Sequence, residues 1–367
     1  MFRSTSRLRR LGASLLALGA LSASALALGS GTVHAAGGFP GAVYTTSNSI
    51  SGNSVLVYNR TANGALTYVT SVSTGGLGTG SGLGSQGAVI LSDNGAWLFA
   101  VNAGDNSVSS FSVQPGGLTL VSTISSEGVT PVSLTFRNGL LYVLNQGDKT
   151  ISGFTVSKAG ALSAIAGSTQ SLNAGAATPE EIGFNPAGSV LAVAEKDSGQ
   201  IDTFTVSGSG VATGPTTFST GAVGPYGFAF DPAGHAVVSD AAIGAASSYA
   251  VNSDGSLSAI STNVADFHAA PCWLVVTQNG KYAYTANAHD GTISSYQIGN
   301  DGSLSLLQST AAGPVSTPLL DLAFSNSNHF LYAIDNGSII GYSVANNGSL
   351  TSLSLSGLTG GAGIAAS

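Results

Sequence analysis

One short strand pattern recurs seven times along the chain, and this recurrence limits the fold more than any other feature. Each copy ends in an aromatic residue, usually followed by a spacer and then Val or Ile, as in Ser107–Val113. The seven aromatic residues are Tyr58, Phe111, Phe154, Phe204, Tyr249, Tyr296 and Tyr342, at intervals of 53, 43, 50, 45, 47 and 46 residues. An interval of this length is typical of a chain built from repeated supersecondary units.

The neighbourhood of each copy predicts a four-stranded unit. An apolar strand such as Leu140–Leu144 precedes the copy, and a turn dipeptide such as Asp254-Gly255 follows it. Gly and Asn tolerate the positive φ angles that two-residue hairpins need. A further strand, often introduced by proline as in Pro179–Phe184, opens the unit. Seven such units predict an all-β fold, a seven-bladed β-propeller with four antiparallel strands per blade.

The two ends of the repeat region complement each other. The first unit begins at Gly41–Tyr44 and lacks an opening strand, whereas the tail Gly360–Ser367 resembles an opening strand with no unit after it. We expect the tail to pair into blade one as its innermost strand, which would remove two exposed sheet edges. Residues 40–367 are therefore predicted to form a single domain. Because a closed ring completes its own core, we expect a monomer.

The first 35 residues differ in composition and predict a secretory signal peptide, residues 1–35. Four arginines precede an uncharged stretch, Leu11–Gly29, and Val33-His34-Ala35 fits a small-residue cleavage site after Ala35. A basic start, an apolar middle and such a site are typical of a cleaved export signal. An uncleaved membrane anchor is the alternative, although Gly, Ala and Ser in the stretch disfavour stable membrane insertion. The mature protein is expected to be secreted or held at the cell surface.

The charge balance excludes one class of partner. After the first ten residues the chain has six Lys and Arg against seventeen Asp and Glu, a net charge of −11. Such a surface disfavours nucleic acid, because phosphate contacts need clustered basic side chains. The single cysteine, Cys272, excludes an intramolecular disulfide and a cysteine-based zinc site.

Several segments resemble a known family. Leu141–Asn145 with Ile151–Val156, Ala194-Glu195-Lys196, and Ala270–Trp273 are similar to the repeats of lactonase-type seven-bladed β-propellers. That family includes 6-phosphogluconolactonase-like and carboxymuconate-cyclase-like proteins, and related Tyr-Val-x-Asn repeat proteins of cell surfaces. The similarity is greatest to an exported bacterial branch. The resemblance implies lactone hydrolysis, although one fold hosts many functions.

The chain departs from this family at the positions that would hold a phosphate. Phosphogluconolactonase-like members tend to have an Arg-His pair after the strand-opening proline. The matching positions here are Val132-Ser133, Glu180-Glu181, Tyr226-Gly227 and Cys272-Trp273. The two arginines after the signal, Arg60 and Arg137, are predicted beside hairpin turns away from the channel mouth, which leaves Lys149 and Lys196 as anion contacts. A sugar phosphate favours clustered arginines, so we expect a non-phosphorylated substrate.

The candidate catalytic residues are acids and one histidine. Most acidic loop residues fall on the face formed by the connections between blades, which makes that face the expected functional funnel. His268, with Asp266 nearby, is the candidate general base, because neutral imidazole can activate water near pH 7. Glu195 and Asp240 occupy matching positions of adjacent blades and could orient water. Glu180 and Glu181 open an inner strand, where one should reach the channel.

Each candidate also has a structural interpretation. His268 could hydrogen-bond a loop carbonyl, and Glu180 and Glu181 could pair with Lys196. The candidate substrate-binding residues are Asn102, Asn145, Lys196, Tyr226, Trp273 and Asn287. The three asparagines share the position of Glu195 and could equally make turn contacts to the backbone. No cofactor or dedicated metal site is predicted; the carboxylates of Glu195 and Asp240 could bind a divalent cation, but the sequence has no dedicated metal-binding loop. Gly82–Gly87 matches a dinucleotide fingerprint by letters only, since no helix follows.

Two functions are compatible with these observations. The first is an exported lactonase-like hydrolase that opens a small, non-phosphorylated lactone. The alternative is a non-catalytic propeller that binds a glycan, a peptide or a cell-wall component. The structural feature that separates them is whether His268, Glu195 and Asp240 converge on one pocket.

Overall fold

The computed structural model describes residues 40–367, apart from 116, 222 and 317. The predicted signal peptide, residues 1–35, lies outside the described residues. The described chain forms strands and turns, and its strands are arranged as seven antiparallel sheets. The predicted all-β propeller with seven blades is confirmed.

The strands follow one another in a regular order. In chain order they are β1 (Gly41–Thr46), β2 (Ser54–Arg60), β3 (Leu66–Ser73), β4 (Val89–Leu91), β5 (Trp97–Asn102), β6 (Ser107–Gln114), β7 (Gly117–Ser125), β8 (Pro131–Arg137), β9 (Leu140–Asn145), β10 (Thr150–Val156), β11 (Leu162–Ala164), β12 (Gln170–Ser171), β13 (Pro179–Phe184), β14 (Val190–Glu195), β15 (Gln200–Val206), β16 (Ala212–Ser219), β17 (Pro225–Phe230), β18 (His235–Asp240), β19 (Ala245–Val251), β20 (Leu257–Ala265), β21 (Pro271–Val276), β22 (Tyr282–Asn287), β23 (Thr292–Ile298), β24 (Leu304–Ala312), β25 (Leu319–Phe324), β26 (Phe330–Asp335), β27 (Ser338–Val344), β28 (Leu350–Ser352) and β29 (Ala362–Ala366).

Each blade contains an inner strand, two middle strands and an outer strand. Blade 1 has the order β29-β1-β2-β3, and blade 2 has β4-β5-β6-β7. Blade 3 contains β8, β9 and β10, with an outer strand divided into β11 and β12. Blades 4 to 7 follow as β13-β14-β15-β16, β17-β18-β19-β20, β21-β22-β23-β24 and β25-β26-β27-β28. Because neighbouring strands are antiparallel, the connections between blades and those between the two middle strands share one face. We call this the upper face, and the opposite one the lower face.

The core lies between the blades and explains the recurrent aromatic residue. Seven clusters of buried apolar side chains each combine residues of adjacent blades. Each of the seven aromatic residues that define the repeat is at most 2% exposed. A large side chain at this position fills the space between two twisted sheets, and burying it contributes about 1.5–3 kcal/mol. The repeat is therefore a packing requirement that recurs once per interface.

The C-terminal strand closes the ring. β29 pairs antiparallel with β1, with Val43 opposite Ala366 and Thr45 opposite Ile364. The backbone N–H of Ser367 donates to the Ala42 carbonyl at 2.9 Å. The Arg60 guanidinium donates to the Ser367 carbonyl oxygen at 2.9 and 3.1 Å. The predicted pairing of the tail into blade one is confirmed. Among the described residues no helix is long and apolar enough to cross a membrane.

Deletion of Gly360–Ser367 is expected to destabilise the whole ring. The deletion removes a buried inner strand, exposes both β1 and β25, and leaves Arg60 without its carbonyl partner. We expect the melting temperature to fall by on the order of 10 °C, which for a domain of this size corresponds to several kcal/mol. Differential scanning calorimetry measures it, with Leu307→Ser on an outer strand as the control. An unchanged melting temperature would contradict the closure of the ring by this strand.

Candidate functional site

The inner strands present a row of backbone N–H groups to the channel, and side chains of neighbouring blades satisfy them. Ser133, Glu181 and Asp321 occupy equivalent positions of inner strands. The Ser133 hydroxyl oxygen accepts a hydrogen bond from the N–H of Ile182 at 3.2 Å. Glu181 Oε2 accepts from Phe228 at 2.6 Å, and Asp321 Oδ2 accepts from Ile364 at 3.2 Å. Each acceptor thus ties its inner strand to that of the next blade, because a buried N–H without a partner is costly.

A glycine-rich segment of blade 2 crosses the upper part of the channel. This segment, Gly82–Gly87, is called the strap below. The Ser85 hydroxyl donates to the Val132 carbonyl at 2.8 Å, and the Ser85 carbonyl accepts from Trp273 Nε1 at 2.9 Å. The Tyr226 hydroxyl donates to the Gly84 carbonyl. The strap therefore contacts the inner strands of blades 3, 5 and 6. Its glycine pattern, which matches a dinucleotide-binding fingerprint in the sequence, has a structural role.

Gln86 fixes the strap to blade 6. Its side-chain amide donates to the Leu274 carbonyl at 2.7 Å and accepts from the Leu274 N–H at 2.9 Å, as a strand partner would. Its backbone N–H donates to the carbonyl of Glu180 in blade 4 at 3.3 Å. The equivalent of Glu181 in blade 5 is Gly227, and a Cβ there would lie 2.5 Å from Gln86 Oε1. Blade 5 thus lacks the side-chain acceptor that Ser133, Glu181 and Asp321 supply in blades 3, 4 and 7. The Gln86 side chain occupies the space and accepts the N–H of the next blade instead.

Below the strap lies a channel cavity of about 410 Å³. Gln86, Gly87, Glu181 and Asp321 line its inner end. Its walls include the side chains of Phe136, Phe184, Phe228, Phe230, Ile90 and Leu322. Asp93, Arg137, Asn185 and Pro186 line it at the lower face, where the turns after the inner strands meet. The cavity therefore combines an acidic inner end with walls that include both apolar side chains and polar groups.

Arg137 lies beside the predicted hairpin turn, on the face opposite the predicted funnel. It also lines the channel cavity at this lower face, which the sequence did not predict. Its Nη1 lies 3.3 Å from Asp93 Oδ1, and both side chains are partly exposed. This placement arises because the inner strand β8 extends to residue 137, which places the side chain at the lower opening of the channel. Arg60 instead binds the C-terminal strand, away from the cavity.

Burial raises the pKa of both channel carboxyl groups, Glu181 and Asp321. Burial raises the pKa of Asp321 to about 7, against the opposing N–H groups of Leu322, Ile364 and Gly87. Burial also raises the pKa of Glu181 well above its usual range, opposed by the N–H of Phe228 and reinforced by the charge of Asp321. Two acids that line one cavity in unequal environments can act as an acid and a base.

A second group of predicted residues lies at the upper ends of the inner strands. Burial raises the pKa of Glu180 to about 8, while the nearby Lys196 ammonium lowers it and Asp197 raises it. Lys196 itself is partly exposed, 3.7 Å from Asp197. Tyr226 and Trp273 hold the strap, and their rings pack edge to face at 5.3 Å. The structure therefore gives these residues packing and strap contacts.

The predicted asparagines brace their own blades. Asn102, Asn145 and Asn287 end the second strand of blades 2, 3 and 6 and are fully buried. Asn102 Nδ2 donates to the hydroxyls of Ser107 at 3.0 Å and Ser109 at 2.8 Å, on the third strand. Asn145 and Asn287 make the same contacts five and seven residues further on. The recurring contacts are structural, but their partners are hydroxyl groups of the third strand instead of the turn backbone suggested by the sequence.

Glu195 and Asp240 occupy that same bracing position. The Ser247 hydroxyl, seven residues after Asp240, donates to its carboxylate. In blade 4 the residue seven positions after Glu195 is Asp202, so two carboxyl groups meet. Asn173 Nδ2 donates to Glu195 at 3.1 and 3.2 Å and to Asp202 at 3.0 Å. Burial first, and then the neighbouring Asp202, raise the pKa of Glu195 to about 8.

His268 lies over blade 6 rather than in the channel. Its Nδ1 is 2.8 Å from Asp290 Oδ2, and its Nε2 is 3.0 Å from the hydroxyl of Thr310 on the outer strand β24. Asp266 holds its backbone N–H at 2.9 Å. His268, Glu195 and Asp240 thus bond within blades 6, 4 and 5, and none of them lines the channel cavity. The role of His268 as a general base stays a prediction.

Sequence reasoning found Glu181 but missed Asp321, Gln86 and Asp202. Asp321 could have been found from the six-residue strand Leu319–Phe324, which aligns with Pro179–Phe184 although no proline opens it. Gln86 bonds to a residue 188 positions away, so no local pattern marks it. Among the described residues no group of three or more His, Cys, Asp or Glu side chains is arranged to hold a metal ion.

The fold and the site define the protein as a seven-bladed propeller with buried carboxyl groups in its central channel. The chain belongs to the family described as Lactonase, 7-bladed beta-propeller, which matches residues 43–175 and 233–363. The resemblance seen in the sequence is confirmed at the level of the family, and membership supports a lactonase-like hydrolase. The interval between the matched parts, 176–232, contains Glu180, Glu181 and Glu195. No curated protein matches the chain at a significant level.

Solved structures share the fold at low sequence identity. A Bacteroides fragilis protein provisionally described as a 6-phosphogluconolactonase is 17% identical, with a TM-score of 0.73 over 89% of this chain and 98% of that chain. The Pseudomonas aeruginosa periplasmic gluconolactonase PpgL is 15% identical, with a TM-score of 0.70 over 88% of this chain and 96% of that chain. At such identities the likeness shows the fold alone.

Replacing Gly227 with Ala is expected to destabilise the protein by about 1–3 kcal/mol, the usual cost of overpacking a core. The added Cβ would meet Gln86 Oε1 at 2.5 Å, the Cys272 carbonyl at 2.6 Å and the Leu274 nitrogen at 2.9 Å. Gly208→Ala is the matched control, because nothing lies within 4 Å of a Cβ there. Urea unfolding measures both variants. Equal stabilities for the two would contradict the close contact between Gln86 and blade 5.

The buried acids predict that thermal stability falls as the pH rises from about 5 to 8. Glu180 and Glu195 have pKa values raised to about 8, and Asp240 and Asp321 to about 7, in each case chiefly by burial. The folded state therefore binds more protons than the unfolded state in this range, and its stability decreases with pH. Melting temperatures across the range measure the slope. Glu195→Gln should reduce this slope, because the Gln amide still donates a hydrogen bond to Asp202 but has no titrating proton. An unchanged slope would count against the raised pKa of Glu195.

Proposed function

We propose that the protein hydrolyses a small, non-phosphorylated lactone in the channel cavity. The observation that carries the proposal is the pair of buried carboxyl groups, Glu181 and Asp321, at the inner end of a cavity in a lactonase-family propeller. Glu181 also occupies one of the positions at which phosphogluconolactonase-like members have their Arg-His pair. The volume of about 410 Å³ suits a small molecule, because ligand pockets commonly span about 300–1,000 Å³.

The two acids can divide the chemistry of ring opening. Asp321, with a pKa raised to about 7 by burial, is partly ionised at neutral pH and can take a proton from water as the water attacks the carbonyl carbon. Glu181, whose pKa burial raises well above its usual range, can donate a proton to the ring oxygen as its bond to the carbonyl carbon breaks. The products are a carboxylic acid and a hydroxyl on one open chain. Backbone N–H groups hold both side chains in place.

The charges around the cavity favour an uncharged substrate. The residues that line the cavity include three acids, Glu181, Asp321 and Asp93, and one basic residue, Arg137. Arg137 already forms an ion pair with Asp93. A phosphate group binds best where several arginine or lysine side chains converge. The acids at the inner end would instead repel a dianion. A neutral aldonolactone is therefore a better candidate than its phosphorylated form.

Glu181→Gln is expected to reduce lactone turnover by about 10²–10⁴-fold, the usual contribution of an acid or base group. The Gln carbonyl oxygen can still accept from Phe228, so the fold should be retained. In wild type the rate should rise as Asp321 ionises near pH 7, because the base must be deprotonated before it can take a proton from water. Acid release from a panel of lactones, followed across pH, measures both effects.

The controls separate catalysis from stability and from other sites. Asp254→Asn alters an exposed turn acid and should leave turnover unchanged. Asp321→Asn can place an NH₂ group where the carboxylate accepts the N–H of Ile364, which would destabilise the fold. The melting temperature of this variant is therefore measured together with its turnover rate. Loss of turnover in His268→Ala with full activity in Glu181→Gln would move the chemistry to blade 6. Preference for a phosphorylated lactone would contradict the charge argument. No hydrolysis of any lactone, together with retention on glycan or cell-wall material, would favour the binding module.

We also propose that the protein is exported. The arginines before Leu11, the uncharged stretch and the small residues up to Ala35 support a signal that is removed on export. Expression of the full chain in a bacterial host, followed by mass spectrometry of the extracytoplasmic fraction, is expected to give a mature protein that begins at Ala36. A protein that keeps its first residues and stays with the membrane fraction would favour the anchor.

A further inference from the structure

We propose that the strap closes the upper end of the channel, so that the lactone enters only through the lower face. The lactone enters with its carbonyl group first, and an apolar substituent packs against the phenylalanines of the wall. This inference rests on the proposed hydrolysis for the identity of the ligand. The route by which a ligand enters rests on the geometry of the channel alone. It places the substrate's reacting end at the acids and its variable end at the opening.

The position of the strap across the channel supports closure of the upper end. Hydrogen bonds join the strap to the inner strands of blades 3, 4, 5 and 6 through Val132, Glu180, Tyr226, Trp273 and Leu274. The backbone N–H of its last residue, Gly87, also lies near enough to Asp321 in blade 7 to lower the pKa of that carboxyl group. A segment of six residues that is bonded to four other blades and lies close to a fifth must lie across the axis. Moving it aside would break this whole set of bonds at once.

The lining of the cavity supports access from the lower face. Gln86 and Gly87 bound the cavity at one end, and at the other the lining residues belong to the turns that follow inner strands, such as Asp93 and Pro186. None of the described loops between blades, apart from the strap itself, contributes to the lining. A ligand that reaches Glu181 or Asp321 therefore passes between these lower turns.

The distribution of polarity along the cavity selects the orientation and the class of ligand. Carboxyl groups lie only at the inner end and at the opening, and between them the walls include Phe136, Phe184, Phe228 and Phe230. Apolar substituents gain about 25 cal/mol for each Å² that they bury on such walls. A lactone with an aliphatic or aromatic substituent can bury that substituent against these rings, which an unsubstituted lactone cannot do.

The experiment makes two measurements on the full-length protein. The first is the rate at which methyl methanethiosulfonate modifies the thiol introduced by Ile90→Cys on the cavity wall. The second is the rate of hydrolysis of γ-nonalactone. Cys272 does not interfere, because burial raises the pKa of its thiol to about 12. Each measurement is made with Trp at the lower opening (Asp93→Trp, Pro186→Trp) and, as the matched control, with Ile243→Trp, an exposed position on the upper face. The reagent is small, so narrowing the only opening should affect it as well as the lactone.

We expect the lower tryptophans to slow modification of the introduced wall thiol and to reduce kcat/KM for γ-nonalactone, each by about tenfold or more, and Ile243→Trp to change neither. γ-Nonalactone should also be hydrolysed with a higher kcat/KM than unsubstituted γ-butyrolactone. Unchanged labelling with the lower tryptophans, or slowing by Ile243→Trp, would overturn the closed upper end. A preference for γ-butyrolactone would overturn the orientation. Slowed labelling without hydrolysis of any lactone would refute the proposed function while supporting access from the lower face.

Discussion

The bidentate bond between the Gln86 amide and the backbone of Leu274 is the contact on which the centre of the molecule depends. A propeller must satisfy the inner edges of seven sheets around a common axis, where a buried N–H without a partner costs about 1–3 kcal/mol. Ser133, Glu181 and Asp321 do so with their own side chains. Blade 5 has Gly227 at that position, and the resulting gap admits Gln86. The small residue at Gly227 thus leaves room for the strap, and the strap bounds the cavity below it.

The same bonds that hold the blades together also set the ionisation of the channel. A carboxyl group placed at the axis to accept an N–H is removed from water, and removal from water raises its pKa. Glu181 and Asp321 are therefore at once structural acceptors and titratable groups with raised pKa values. Serine at the equivalent position of blade 3 gives the same structural contact without a titratable group. The choice between Ser and an acid at one repeat position thus decides which part of the channel contains a titratable group.

The sequence predicts the fold well because every unit repeats the same packing problem. Tyr58 and its six counterparts mark the interfaces, and the unpaired strands at the two ends predict how the ring closes. The site was less accessible, because its residues depend on contacts between distant blades. Glu181 was visible as an acid on an inner strand, whereas Gln86 is distinguished only by a partner 188 residues away. The acid at Glu195 and the asparagines were conspicuous in the sequence, yet they brace single blades.

The closure of blade 1 by β29 sets the timing of folding. Ala42 and Ser367 are bonded across 325 residues, so blade 1 cannot be completed before β29 has been made. Contacts of such high sequence separation form late and slowly. The other six blades can assemble before β29 leaves the ribosome, but the ring stays open until then. Blade 1 is thus the last sheet to acquire its inner edge, and the two interfaces beside it are the last parts of the core to be shielded from water.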